Sequence, residues 1–92
     1  LLILLAGDFL KGAYVMQDLL YTIVERLVDD PSAIKITEDA PNEEGVIVFH
    51  LSVAQEDIGR VVGKQGRIAK AIRVIMRSGA ARLDKKVAVE ID

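Results

Sequence analysis

The fold is decided by residues 58–72, which read IGRVVGKQGRIAKAI. Two glycines, Gly63 and Gly66, lie three residues apart between two segments of helical periodicity. Glycine adopts positive φ and has no Cβ, so a backbone can approach a ligand closely at such positions. The N–H groups and dipole at the start of the following helix favour anions, and Lys64 adds a positive charge inside the loop. The stretch therefore predicts a cradle for phosphate.

The helix after this loop, predicted over residues 67–81, has two contrasting faces. Its apolar face is predicted to pack on a sheet and comprises Ile68, Ile72, Ile75 and Gly79. The opposite face carries the basic side chains Lys70, Arg73 and Arg77, and Arg67 begins the first turn. A simple solvated face is the alternative to ligand contact for Arg73 and Arg77.

Strands are predicted on both sides of this segment. Residues 46–53 and 86–91 alternate apolar side chains with others, which is the period of a half-buried strand. A shorter strand is predicted at residues 34–37. Ser52 is expected to cap the short helix that begins near residue 54, because serine side chains accept from the first free N–H groups of a helix.

The chain before these strands begins with two different segments. Residues 17–28 repeat leucine, isoleucine and valine at helical spacing, and Asp30-Pro31 is expected to end this first helix. We interpret residues 1–15 as an N-terminal extension or cloning remnant and residues 16–92 as one domain. The element order is α-β-β-α-α-β, which predicts an α+β fold of two layers.

The charge of the chain is unevenly distributed. The net charge is −2, yet residues 60–86 hold nine Lys or Arg and a single acid, whereas residues 1–59 hold three Lys or Arg and eleven acids. A basic segment of this kind is typical of nucleic-acid binding, although a solvated surface with counter-charges nearby explains the charge equally well. The total of 51% hydrophobic residues is that of a globular domain.

Catalytic chemistry is not predicted. The chain has no cysteine and one histidine, His50, which is expected to be a packed or surface residue. A Walker loop is excluded, because only three residues separate Gly59 from Gly63 and Gln65 stands where Ser or Thr would hold magnesium. We therefore predict no enzyme activity, no metal site and no cofactor.

The stretch VVGKQG at residues 61–66, between two short helices and after an α-β-β start, resembles the GXXG core of KH domains. The element order is similar to the bacterial, type II arrangement, which implies a three-stranded sheet with three helices packed on one face. More closely, residues 16–92 resemble the small bacterial KhpA family of single KH domains. The matching stretches are VDDP at residues 28–31, VAQEDIG at 53–59 and GKQGRIAKAI at 63–72.

The resemblance implies a cytoplasmic protein that binds single-stranded RNA. It further implies an RNA chaperone in post-transcriptional regulation, linked to cell-wall homeostasis and cell length. The expected partners are a second copy of the chain, a larger KhpB-like KH protein, or both. Ala69 departs from the pattern, since many KH domains have an aliphatic residue there, and Gln55 stands where KhpA proteins usually have proline. We expect Ala69 to alter the floor of the base-binding groove.

The resemblance also assigns candidate contacts, because KH loops clamp about four nucleotides of backbone. The loop comprises Gly63, Lys64, Gln65 and Gly66, and its two glycines are expected to bring main-chain N–H groups to phosphates. Neutralising charge is expected from Lys64 and Arg67, with Arg60 and Lys70 at the rim. The bases are expected in an apolar groove formed by the adjacent strand with Ile58, Val62 and Ile68. No aromatic residue lies between Arg60 and Asp92, so base stacking on rings should contribute little.

Two other functions remain open from the sequence. The KH fold could serve mainly as a dimerisation or protein-interaction module with weak nucleic-acid binding, its interface supplied by the acidic first half and the apolar strands. Single-stranded DNA could replace RNA, because KH clefts accept it.

Overall fold

The computed structural model describes residues 15–92, which form three helices, three strands and three short 3₁₀ turns. Helix α1 is described from residue 15 to residue 25. The other elements are strands β1 (Lys35–Glu38) and β2 (Val46–Ser52), helices α2 (Ile58–Val62) and α3 (Arg67–Arg82), and strand β3 (Lys86–Ile91). The extension predicted for residues 1–15 lies outside the described residues except for residue 15, which is already helical.

The three strands form one mixed sheet in the order β1-β2-β3. Strands β1 and β2 are antiparallel, with Ile36 opposite Leu51. Strands β2 and β3 are parallel, with Phe49 beside Val89. Parallel neighbours need a long crossover connection, and α2 and α3 supply it. The α+β fold and the α-β-β-α-α-β order predicted from the sequence are confirmed.

The core lies between one face of the sheet and the helices. Helix α1 contributes a ridge at every fourth residue, and the sheet contributes alternate residues of β2 and β3, because side chains alternate across a strand. Burying each large apolar side chain stabilises the fold by about 1.5–3 kcal/mol. The buried residues of these elements are Met16, Leu20, Val24, Phe49, Leu51, Val87 and Val89.

The buried face of α3 differs from the predicted one. The prediction that Ile75 packs in the core is wrong, because its side chain is 45% exposed. The buried ridge instead consists of Ala69, Ile72, Met76 and Ala80. Gly79, on the flank of this ridge, lies against Leu19 and Met16 of α1.

The segment from β2 to α2 also differs from the expectation. Ser52 is the last residue of β2, paired beside Lys35 of β1, so it does not cap a helix. The chain enters a 3₁₀ turn at Gln55–Asp57, whose N-terminal flanking residue is Ala54 and which has no side-chain cap. Among residues 15–92, no helix is long and apolar enough to cross a bilayer.

Candidate functional site

The loop between α2 and α3 has a backbone that only certain residues adopt. The N–H of Gly63 donates to the carbonyl of Gly59 at 2.8 Å and ends α2. Gly63 has φ 74° and ψ 177°, a combination that is essentially restricted to glycine. Gly66, at φ 72° and ψ 17°, is left-handed and directly precedes α3. The two glycines of the motif are therefore required by backbone geometry.

Gly63 is also required by packing. A Cβ at this position would lie 2.6 Å from Cγ1 and 3.0 Å from Cδ1 of Ile68. Ile68 therefore packs directly on the backbone of Gly63 and supports the loop from the side of α3. The environment of Gly66 is different, because a Cβ there would meet nothing within 4 Å. There is therefore no room for a side chain at Gly63, whereas there is room for one at Gly66.

One of the two residues between these glycines carries backbone strain. Gln65 has φ 56° and ψ 26°, which costs a residue with a Cβ about 1–2 kcal/mol. Such strain persists where the surroundings enforce it, and it concentrates at ligand-binding sites. The exposed Lys64 and Gln65 side chains project from this strained turn.

Positive charge surrounds the loop and continues along α3. Among the described residues, none of the following cations forms a salt bridge with a carboxylate: Lys64, Arg67, Lys70, Arg73, Arg77, Arg82 and Lys86. All seven are exposed. The helix dipole adds partial positive charge at the start of α3. This surface therefore attracts anions without an internal counter-charge to displace.

Arg60 differs from these cations because its charge is already balanced. One of its terminal nitrogens lies 2.9 Å from Oδ2 of Asp29, and its Nε lies 3.3 Å from Oδ1 of Asp57. Asp57 is 2% exposed and accepts from the backbone N–H groups of Asp29 and Asp30 at 3.1 and 3.0 Å. This network ties the start of α2 to the segment after α1, and so fixes the position of the loop.

The three residues predicted to form the apolar groove differ in how far they are buried. Ile58 is exposed, whereas Val62 and Ile68 are half-buried and pack against the core. Ala69, which is expected to alter the groove floor, is buried within the ridge of α3. The place of these three residues in a base-binding groove stays a prediction.

A cavity of about 190 Å³ lies instead between α3 and β3. Its lining comprises Arg73, Met76, Arg77, Val87, Ala88 and Val89. Arg73 fixes this arrangement, because its Nε donates to the carbonyl of Val89 at 3.1 Å. Sequence reasoning left Arg73 and Arg77 between a ligand contact and a solvated face. The regular spacing of basic residues along α3 pointed to these two arginines, but it did not show that β3 lies beside them.

On the face of the sheet opposite the core, the side chain of His50 lies between Asp39, which follows β1, and Glu90 of β3. Its Nε2 lies 2.8 Å from Oδ2 of Asp39, and its Nδ1 lies 3.5 Å from Oε2 of Glu90. The hydrogen bond to Asp39 raises the pKa of His50 above its ordinary value, against a smaller opposing effect of burial. Within residues 15–92, no cluster of three or more His, Cys, Asp or Glu side chains could hold a metal ion.

Comparison with known proteins places the chain in a family. The family model described as "KhpA/KhpB, KH domain" matches residues 17–91. The protein called RNA-binding protein KhpA from Clostridium acetobutylicum is 46% identical over 76 residues, which cover 83% of this chain and 99% of that protein. The protein of the same name from Listeria monocytogenes is 45% identical over 76 residues, which cover 83% of this chain and 97% of that protein. The one from Chlamydia caviae is 42% identical over 76 residues, which cover 83% of this chain and 95% of that protein. The chain therefore belongs to the KhpA/KhpB family of KH domains.

Proposed function

We propose that this protein binds single-stranded RNA by holding its phosphates at the loop of residues 63–66. The observation that carries this proposal is an open, glycine-flanked backbone at the start of α3, surrounded by cations that form no salt bridge with a carboxylate among residues 15–92. Backbone N–H groups and the helix dipole favour phosphate there. The relatives are named RNA-binding proteins, and these names support RNA as the ligand.

The residues of this site have different roles in the proposal. Lys64 and Arg67 neutralise the phosphates at the loop, and Lys70 extends the charge along α3. Arg60 stays at the rim and contributes least, because two carboxylates already balance its charge. Gln65 contributes its backbone and a neutral exposed side chain.

The bases would lie across Val62 and continue into the cavity beside Arg73. Met76 and Val87 give that cavity an apolar wall, which suits the faces of bases without selecting among them. With no aromatic residue after Arg60, affinity rests on the backbone, and sequence preference is weak.

The double variant Lys64→Asp/Gln65→Asp tests this proposal. It places two negative charges where phosphates would bind, and aspartate tolerates the left-handed backbone of position 65. We expect its affinity for a single-stranded oligouridylate to fall by about tenfold or more at low salt. Arg26→Asp/Ala40→Asp is the matched control, because it makes the same change in charge at two exposed positions outside the site. A folded loop variant with wild-type affinity would exclude the loop as the binding site.

We further propose a cytoplasmic RNA chaperone that acts with a second KH domain, either another copy or a larger KhpB-like protein, in regulation linked to cell-wall homeostasis and cell length. Family membership supports the RNA-binding part of this role. One domain that holds about four nucleotides binds weakly alone, and a second domain on the same RNA would raise affinity through effective concentration.

A dimerisation module with little RNA binding is the second candidate function. The exposed apolar side chains Val74 and Ile75 on α3 favour it. Light scattering with and without RNA distinguishes the two candidates. A dimer that binds no RNA at low salt would support the module, whereas a complex that forms with RNA supports the binding proposal.

A further inference from the structure

Strand β1 leaves one edge of the sheet without a neighbour among residues 15–92, because the strand order is β1-β2-β3. Its register with β2 shows which groups lie at this edge. The N–H of Asp39 donates to the carbonyl of Val48 at 2.9 Å and continues the ladder. Antiparallel strands direct the N–H and C=O groups of alternate residues towards the partner. Thr37 therefore bonds to β2, whereas Ile36 and Glu38 direct their main-chain groups outwards.

A cavity of about 230 Å³ lies against this edge, between α1 and β1. Its lining comprises Gln17, Asp18 and Tyr21 of α1 and Ile36 of β1. Tyr21 is 41% exposed, and Ile36 is half-buried on the core face of the sheet, opposite Leu51. A cavity of about 150 Å³ accepts benzene. This cavity therefore has room for an apolar side chain that enters from a strand added to β1.

The charge around this cavity is negative. Asp18 lines the cavity, and Glu25 lies one turn beyond Tyr21 on the same flank of α1. Glu38 lies at the edge of the strand. All three carboxylates are exposed, and none of them forms a salt bridge with a cation among residues 15–92. The side chain of Lys35 alternates to the other face of the sheet. We call the edge of β1 together with this cavity and its acids the α1–β1 groove.

We propose that the α1–β1 groove binds an extended basic peptide of a partner protein, which adds a fourth strand beside β1. The main chain of the peptide pairs with Ile36 and Glu38, and an apolar side chain enters the cavity beside Tyr21. Lysine or arginine side chains on either side of it meet the acids of the groove. In such binding the main chain supplies affinity and alternate side chains supply specificity. The inference goes beyond RNA binding and does not depend on it, because none of these residues lies in the glycine loop or on α3.

Two other occupants fit the groove less well. A second copy of the chain, paired edge to edge about a two-fold axis, would present the same surface patch. Its own Asp18, Glu25 and Glu38 would then face the same three carboxylates, and such like-charge contacts oppose association. The phosphates of RNA meet the same repulsion. A basic peptide instead brings complementary charge to the groove.

The binding of a fluorescent peptide to the full chain tests the proposal by anisotropy at low salt. The peptide KTKTVTKTK places its lysines and its valine on one face when it is extended, and its threonines on the other. The peptide KKKKVTTTT has the same composition and charge without this alternation. It is the control and should bind more weakly.

The variants Glu38→Pro and Glu38→Gln separate main-chain pairing from charge. Both remove the carboxylate, but only proline removes the N–H that points outwards. Proline is tolerated at such a position of an edge strand, and Thr37 before it already lies in the strand. One hydrogen bond corresponds to about a fivefold change in affinity. We therefore expect Glu38→Pro to bind the first peptide about fivefold more weakly than Glu38→Gln does.

A second pair of variants tests the charge of the groove. Asp18→Asn/Glu25→Gln should weaken binding by about threefold or more, because two exposed ion pairs with the peptide are lost. Glu43→Gln/Glu56→Gln removes the same charge from exposed positions outside the groove and should bind like the wild type. Circular dichroism establishes that each variant is folded.

The ¹H–¹⁵N shifts of the wild type locate the peptide without any substitution. The largest changes should fall on the amides of Tyr21, Ile36 and Glu38. Unmoved amides there at millimolar peptide, equal affinities of Glu38→Pro and Glu38→Gln, or equal losses in the two charge variants would each overturn the inference. So would light scattering in which Glu38→Pro, but not Glu38→Gln, breaks up a dimer, because a second copy would then occupy the edge. The RNA-binding proposal stands in all of these cases.

Discussion

Replacement of Gly63 by alanine tests the geometry of the loop most severely. The backbone of Gly63, at φ 74° and ψ 177°, lies in a region that costs other residues about 1–3 kcal/mol. The new Cβ would lie 2.6 Å from Cγ1 of Ile68, and overpacking of this kind costs about 1–3 kcal/mol more. We therefore expect Gly63→Ala to lower the free energy of unfolding by about 2–6 kcal/mol.

Gly66→Ala is the internal control for this change. It introduces the same methyl group into a left-handed backbone with nothing within 4 Å, so only the strain of about 1–2 kcal/mol applies. Urea denaturation followed by circular dichroism measures both free energies. The two substitutions should lower the free energy of unfolding by different amounts, although the two glycines look equivalent in the sequence.

A double-mutant cycle separates the steric part of the cost. Ile68→Ala removes Cγ1 and Cδ1, which lie 2.6 and 3.0 Å from the added methyl group, and leaves Cβ at 3.0 Å. The double variant Gly63→Ala/Ile68→Ala should therefore be more stable than the sum of the single effects predicts, by about 1–3 kcal/mol. Additive effects, or equal costs for Gly63→Ala and Gly66→Ala, would refute the packing of Ile68 on the loop.

Three further predictions concern the charged residues. Asp57→Ala should lower the free energy of unfolding by about 2–4 kcal/mol in urea denaturation, since it leaves the N–H groups of Asp29 and Asp30 without their acceptor; a change below 0.5 kcal/mol would contradict this. Arg60→Gln should cost under about 1 kcal/mol and leave the salt slope of RNA binding unchanged, whereas a slope reduced by about 0.7 would make Arg60 a phosphate contact. The raised pKa of His50 adds stability that is complete below its unfolded pKa of about 6.5 and lost as pH rises through the folded value. Thermal midpoints should therefore fall from about pH 6 to pH 8 more in the wild type than in His50→Gln, and identical pH profiles would count against the raised pKa.

The elements of the fold could be predicted because their signals are local. Alternation in β2, as at Phe49 and Leu51, and the glycine pair of the loop fix strand, turn and order without knowledge of contacts. The buried face of α3 could not be predicted with the same success. Ala69 and Ala80 carry little hydrophobic signal, yet both are buried. Ile75 has a strong signal, yet it lies on the outer flank.

The residues of the site also fall into two groups, those that the local sequence predicts and those whose contacts depend on tertiary structure. The loop residues were found from glycine spacing, which is a property of the backbone. The ion pairs of Arg60 with Asp29, thirty-one positions earlier in the chain, and the contact of Arg73 with Val89 depend on tertiary structure. Sequence reasoning therefore treated Arg60 as a free cation and left Arg73 undecided. Only the packing of α2 and α3 shows which charges are balanced and which remain available.

The central claim is that the backbone of residues 63–66 holds phosphates. The most direct measurement is the change in ¹H–¹⁵N chemical shifts when a short single-stranded RNA is added at low salt. We expect the largest changes at the amides of Lys64, Gln65, Gly66 and Arg67, with smaller changes along α3 and none at His50 on the opposite face of the sheet. Changes confined to the outer face of the sheet, with the loop amides unmoved at saturating RNA, would contradict it.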